Sequence, residues 1–195
     1  MTSRKLVGAA LAALASVVVL AGCASSDKPS SGHDMSTMNV PAPQQAGHNQ
    51  ADVTFAQGMI PHHEQALAMA KLVDGRTRNA KVVDLASRIQ QAQGPEIQQL
   101  NGLLKAWGVA PSGEHSEHGS MSGMASEDDL AKLGQAENAA FDRQWLEMMV
   151  KHHEGALTMA KTVLQQGSNA EVKAFAQKVI DGQQTEITEM RTLLG

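Results

Sequence analysis

Tyrosine is absent from this 195-residue chain, and only three Phe and two Trp occur. Any core must then be built from Leu, Ala, Val, Ile and Met. No stretch alternates with period two and β-branched residues are sparse, so strands are not expected. Cysteine occurs once, at Cys23, which excludes an intrachain disulfide. Basic residues are also few: 16 Lys and Arg against 20 Asp and Glu give a net charge of −4. There is no basic stripe, which argues against a nucleic-acid partner. No Ser/His/Asp set, reactive cysteine or phosphate-cradling loop is evident, so nothing points to a hydrolase.

The one long apolar run, Leu6 to Leu20, is too short and too Ala-rich for a membrane span. It follows Arg4 and Lys5 and ends in Leu20-Ala21-Gly22-Cys23, the pattern of a bacterial lipobox. Residues 1–22 are therefore expected to be a lipoprotein signal peptide and Cys23 the lipid-modified first residue of the mature chain. The protein would then be extracytoplasmic, anchored on the cell surface or the periplasmic side. Cleavage leaves 14 basic against 20 acidic residues and no polybasic patch, so the lipid itself must hold the membrane. Residues 23–50, rich in Ser, Gly, Pro, Asn and Gln, read as a flexible tether.

From residue 51 to 195 the chain reads as helix, with a linker over 108–125. Four long helices are expected. The first spans about Ala51 to Val73, with Pro61 either kinking it or starting it. The second runs from an N-cap at Asn79 to Trp107-Gly108. The third covers Asn138 to Gln166, and the fourth opens on a Ser168–Glu171 capping box and runs to Leu194. A short helix capped by Ser126 precedes the third. Short loops make residues 51–107 and 126–195 two helical hairpins, and two hairpins give an all-α, ferritin-like four-helix bundle.

The halves repeat each other. Residues 59–105 align without a gap on 149–195, and 19 of the 47 pairs are identical. Nine of these fall in the first thirteen, so the block from Met59 to Lys71, matching Met149 to Lys161, is the part kept most alike. On a helical wheel at about 100° per residue, Met59, His62, His63, Ala66, Met69 and Ala70 form one stripe about 120° wide. Met149, His152, His153, Ala156, Met159 and Ala160 do the same, with Met148 beside Met159. The alanines let another helix come close, so this face looks inward. Adjacent histidines diverge by about 100°, so one of each pair should bind centrally while the other reaches a neighbouring helix or a second ion.

On helices two and four, Gln93 with Glu96, and Gln183 with Glu186, fall inside the apolar stripe. A carboxylate there is costly unless paired or metal-bound. Glu96, expected level with residues 58–59 and within a turn of His62, is a ligand or an acceptor that fixes an imidazole tautomer; Glu186 is its counterpart. Glu64 and Glu154 lie on the opposite, solvated face. Met is a common core filler and a lone buried His is usually structural. Two His-His pairs flanked by Met, repeated in register, point instead to a soft or borderline metal, and copper fits best. The linker pattern His115, His118, Met121, Met124 and the tether pattern His33, Met35, Met38 suggest flexible copper-capture segments.

The paired His-His-Glu-x-Ala-x-x-Met-Ala blocks, Phe141-Asp142-Arg143, and the Gln-x2-Glu-Ile of helices two and four resemble the bacterial domain-of-unknown-function 305 family. The resemblance covers roughly residues 51–195. It implies an extracytoplasmic ferritin-like bundle associated with copper, with Met59, His62, His63, Met69, Met148, Met149, His152, His153 and Met159 as ligands. The expected function is a membrane-anchored copper-binding protein, not an enzyme, that buffers or relays copper, Cu(I) above all, with a copper donor or acceptor protein as partner. The alternatives are a ferritin-like di-iron or di-manganese oxidase, disfavoured by the lack of core-facing Glu-x-x-His pairs, and a metal-free structural lipoprotein. Zinc is disfavoured because thioethers are not among its usual ligands. The oligomeric state stays open.

Overall fold

The computed structural model describes residues 47–111 and 122–195. The signal segment, Cys23, the His33–Met38 pattern and His115, His118 and Met121 lie outside the described residues. Among the described residues there are five helices and no strand: α1 Gln50–Lys71, α2 Ala80–Ala106, α3 Glu127–Gln135, α4 Asn138–Gln166 and α5 Ala170–Leu194. α1 packs on α2 and α4 on α5, each pair joined by a short connection. α1 also packs on α4, which brings the two pairs together, while the short α3 lies on α4.

Apolar side chains form two clusters. One contains Met69, Val73, Leu85, Ile89, Leu133, Phe141, Trp145, Met149 and Met190. The other contains Phe55, Met59, Ile60, Leu100, Leu104, Val163, Phe175 and Val179. Along each long helix the first cluster takes one end and the second the other. The residues between them are His62 and His63 on α1, Gln93 and Glu96 on α2, His152 and His153 on α4, and Gln183 and Glu186 on α5. A polar layer thus crosses the middle of an otherwise apolar interior.

Several local expectations change. Pro61 does not start α1: the helix begins at Gln50 and runs through it, and α2 likewise runs through Pro95. Each proline removes one backbone donor from its helix. Residues up to 50 read as tether, yet Asn49 caps α1 through a capping box with Asp52, and His48 stacks on Trp107 at 4.5 Å. The cap of α5 is Asn169, not Ser168; its side chain accepts from Glu171 N and Val172 N. Ser168 instead donates its backbone N–H and its hydroxyl to Asp52 Oδ2. The caps at Asn79 and Ser126 stand where the sequence placed them. α2 is capped at its C-terminus by Trp107, with Gly108 at φ +69°, the left-handed turn that glycine accepts without strain.

Candidate metal centre

The four histidines of the layer are fully buried. His63 Nε2 lies 3.0 Å from Glu96 Oε2, and His153 Nε2 lies 2.7 Å from Glu186 Oε2. The two pairs are related by the 90-residue repeat. A carboxylate oxygen can only accept, so each Nε2 carries a proton, and in the neutral ring that leaves the lone pair on Nδ1. His62 Nε2 faces the Ser122 carbonyl at 3.2 Å, which selects the same tautomer. The Nδ1 atoms of all four rings are buried without a hydrogen-bond partner. His62 and His152 meet where α1 packs on α4, with ring centroids 3.8 Å apart. This partly answers the divergence expected of adjacent histidines: His62 and His152 meet centrally, while His63 and His153 reach the neighbouring helices.

Burial pushes the His62 pKa down to about 3, and the neighbouring His63 adds to the effect. Burial, followed by the charges of His62 and the other imidazoles, also holds His152 well below the usual range. The pair is therefore neutral at physiological pH, the form in which imidazole binds metal. Burial opposes the charge of Glu96, but the His63 hydrogen bond and nearby Lys178 outweigh it, so its pKa falls. Lys178 Nζ sits 3.4 Å from Glu96 Oε1. The repeat counterpart of Lys178, Arg88, pairs with Asp84 and Glu189 instead. The two His–Glu pairs are alike in geometry and unlike in charge.

Glu96 meets His63, within a turn of His62 as the spacing placed it. Met59, Met69 and Met149 are fully buried on the expected face. Met148 and Met159 are only partly buried, a departure from the inward stripe. Trp145 covers the Met69 end, donating its indole N–H to the Met69 carbonyl, and α3 adds Leu133 there. At the other end the repeat places the smaller Phe55, and Met159 borders an open groove of about 440 Å³. Met148 and Met124 line a separate cleft. Glu64 and Glu154 are exposed, and Glu154 pairs with Arg191. Among the described residues, no three His, Cys, Asp or Glu side chains converge on one point. A metal held here would therefore draw on thioether sulfur as well as imidazole. Buried Nδ1 atoms without hydrogen-bond partners, with Met59, Met69 and Met149 buried in the same interior, fit a soft or borderline ion.

The returning end of the linker closes over this layer, which the sequence did not foretell. Gln65 brackets Ala125, donating to its carbonyl at 2.9 Å and accepting its N–H at 2.8 Å. Its repeat counterpart is Gly155, where any Cβ would collide with the Ser122 carbonyl and Gly123. The exchange of Gln for Gly at this repeat position was the available signal.

A family model described as a domain of unknown function (DUF305) matches residues 52–194. A DUF305 fragment from Deinococcus radiodurans is similar at 35% identity, over 75% of this chain and 97% of that one, with a TM-score of 0.70. A Streptomyces coelicolor DUF305 protein described as secreted is 31% identical over 74% and 91% of the two chains, with a TM-score of 0.69. CopM in its Cu(II)-bound form is 28% identical over 73% of this chain and 95% of that one, with a TM-score of 0.64. A Cu(I)-bound form of CopM matches at 27% identity and a TM-score of 0.63. A curated relative, uncharacterized protein L153 of Acanthamoeba polyphaga mimivirus, is 38% identical over 53 residues. This chain spans about a third of its length, 35%, and the match covers 27% of the chain.

Proposed function

The chain belongs to the DUF305 family, and we propose that it binds copper in its buried His/Met layer and buffers or relays that copper outside the cytoplasm. The observation that carries this reading is the set of four buried imidazoles whose Nδ1 atoms have no partner. Burying polar atoms unpartnered is costly and rare in native proteins, and a metal bound at Nδ1 removes that cost. Glu96 and Glu186 act as acceptors that fix the tautomer and strengthen the donors. Met59, Met69 and Met149 supply sulfur, while Met148 and Met159 stand at the edges of the layer. Copper-bound CopM supports the choice of metal.

The fold that fits this reading is a ferritin-like four-helix bundle of two hairpins, with α1 and α4 as the metal-bearing pair. Cys23, by its lipobox, anchors the chain by lipid, and the segment after it acts as a tether. The secreted description of the Streptomyces relative favours an extracytoplasmic address. Among the described residues no helix is long and apolar enough to cross a membrane.

The test is metal analysis of the purified chain, followed by Cu(I) titration against a chelator and by Fe(II) with oxygen. Tight copper binding without iron turnover is expected. Ferroxidase turnover with weak copper binding would favour a di-iron oxidase instead.

A further inference from the structure

Gln93 and Gln183 are 2% and 5% exposed, and neither the amide nitrogen nor the oxygen of either side chain has a hydrogen-bond partner. They occupy equivalent positions in the repeat, three residues before Glu96 and Glu186. The two residues between differ in both places, Gly94-Pro95 in one half and Gln184-Thr185 in the other. The spacing puts each amide on the same helical face as its carboxylate, about one turn away.

An amide offers two N–H donors and an acceptor oxygen. A soft ion held only by imidazole and thioether satisfies neither. A water molecule bound to the ion satisfies both, accepting from the amide nitrogen and donating to its oxygen. Cu(II) takes tetragonal sites of N and O ligands, whereas Cu(I) is content with sulfur and imidazole.

We propose that Gln93 and Gln183 are specificity-determining residues of the His layer, holding a water ligand on the bound ion so that Cu(II) is admitted beside Cu(I). This rests on the copper reading above. The glutamines do not themselves ligate; they position the oxygen that does. The layer then accommodates both oxidation states without rearranging its helices.

The experiment compares the full chain with Q93L/Q183L and Q93E/Q183E. Each is titrated with Cu(II) and, separately, with Ag(I) as a redox-inert stand-in for Cu(I). The Leu variant should lose about 10-fold or more in Cu(II) affinity while Ag(I) affinity stays within about 3-fold. Its Cu(II) EPR spectrum should lack the exchangeable-water couplings that the wild type is expected to show. The Glu variant keeps an acceptor oxygen and should retain most Cu(II) binding. Retained Ag(I) binding also shows that the Leu variant is folded. Equal losses for both ions, or unchanged Cu(II) affinity with unchanged water couplings, would overturn the inference and leave the copper reading standing. A wild-type chain that binds neither ion would remove the copper reading and this inference together.

Discussion

The rings of His62 and His152 lie 3.8 Å apart, centroid to centroid, although the residues are ninety positions apart in the chain. Two charged rings at this distance would repel each other, and burial disfavours charge on either. Burial is the larger effect, bringing His62 to about 3 and His152 well below its usual value. For a base whose folded pKa is depressed, the unfolded chain takes up protons that the fold refuses. The metal-free protein should therefore lose stability as pH falls below about 6.5, by up to about 1.4 kcal/mol per pH unit for each ring. Urea melts at pH 7.5 and pH 5 check this, and the pH slope should shrink in His62→Asn and His152→Asn.

A second acid-sensitive element lies at the start of α1. Burial raises the pKa of Asp52, but hydrogen bonds from the Asn49, Ser168 and Asn169 amides and the Ser168 hydroxyl bring it below the usual value. Asp52→Ala should destabilise by about 2–3 kcal/mol at pH 7. A carboxylate with a depressed pKa stabilises above its unfolded value, about 3.8, and loses that effect as pH falls through its folded one. The difference between variant and wild type should therefore persist at pH 5 and fade only below pH 4. Denaturant melts across that range separate it from the histidines.

Gly155→Ala should be harmful because a Cβ there meets the Ser122 backbone. A cost of about 1–3 kcal/mol is expected, along with faster metal exchange as Ser122 moves off His62. Gly182→Ala, in α5 with nothing within 4 Å, should instead stabilise by about 0.5–1 kcal/mol. Thermal melts of the two variants give opposite signs if the closing segment sits on α4 as described.

Glu96→Gln and Glu186→Gln keep the shape of each carboxylate and remove its charge. Copper affinity should fall about 10–100-fold in each. In Glu96→Gln, Lys178 also loses its partner, so this variant should show the steeper salt dependence. Chelator competition at two ionic strengths measures both effects. Unchanged affinity in both variants would mean that the His–Glu pairs serve the fold alone.

The repeat made much of this legible. Helix period, caps at Asn79 and Ser126, and the inward face of Met59, His62, His63 and Ala66 follow from local spacing, which a single sequence displays. Glu96 and Glu186 stood out as carboxylates on an apolar face. Which imidazole of each pair a carboxylate meets depends on the register between helices, which the turn geometry sets and the sequence does not show. Asn169 displaced Ser168 as a cap because Asp52, over a hundred residues away, takes up the serine. Lys178 reaches Glu96 across two hairpins, and the Ser122 segment lies on Gly155. No local pattern encodes contacts of that range. The partial exposure of Met159 likewise follows from which end α3 and Trp145 cover.

The packed helices, not the linker histidines His115 and His118, are expected to hold the tightest copper. Side chains already fixed by packing, as those of His152 and His153 are, lose little entropy on binding. Titrating Cu(I) against a chelator, with His152→Ala/His153→Ala beside His115→Ala/His118→Ala, tests it most directly. The account predicts that the helical pair abolishes a strong equivalent and the linker pair removes only weak, additional ones. Loss of the strong equivalent on mutating His115 and His118, with the helical variant binding as wild type, would contradict it.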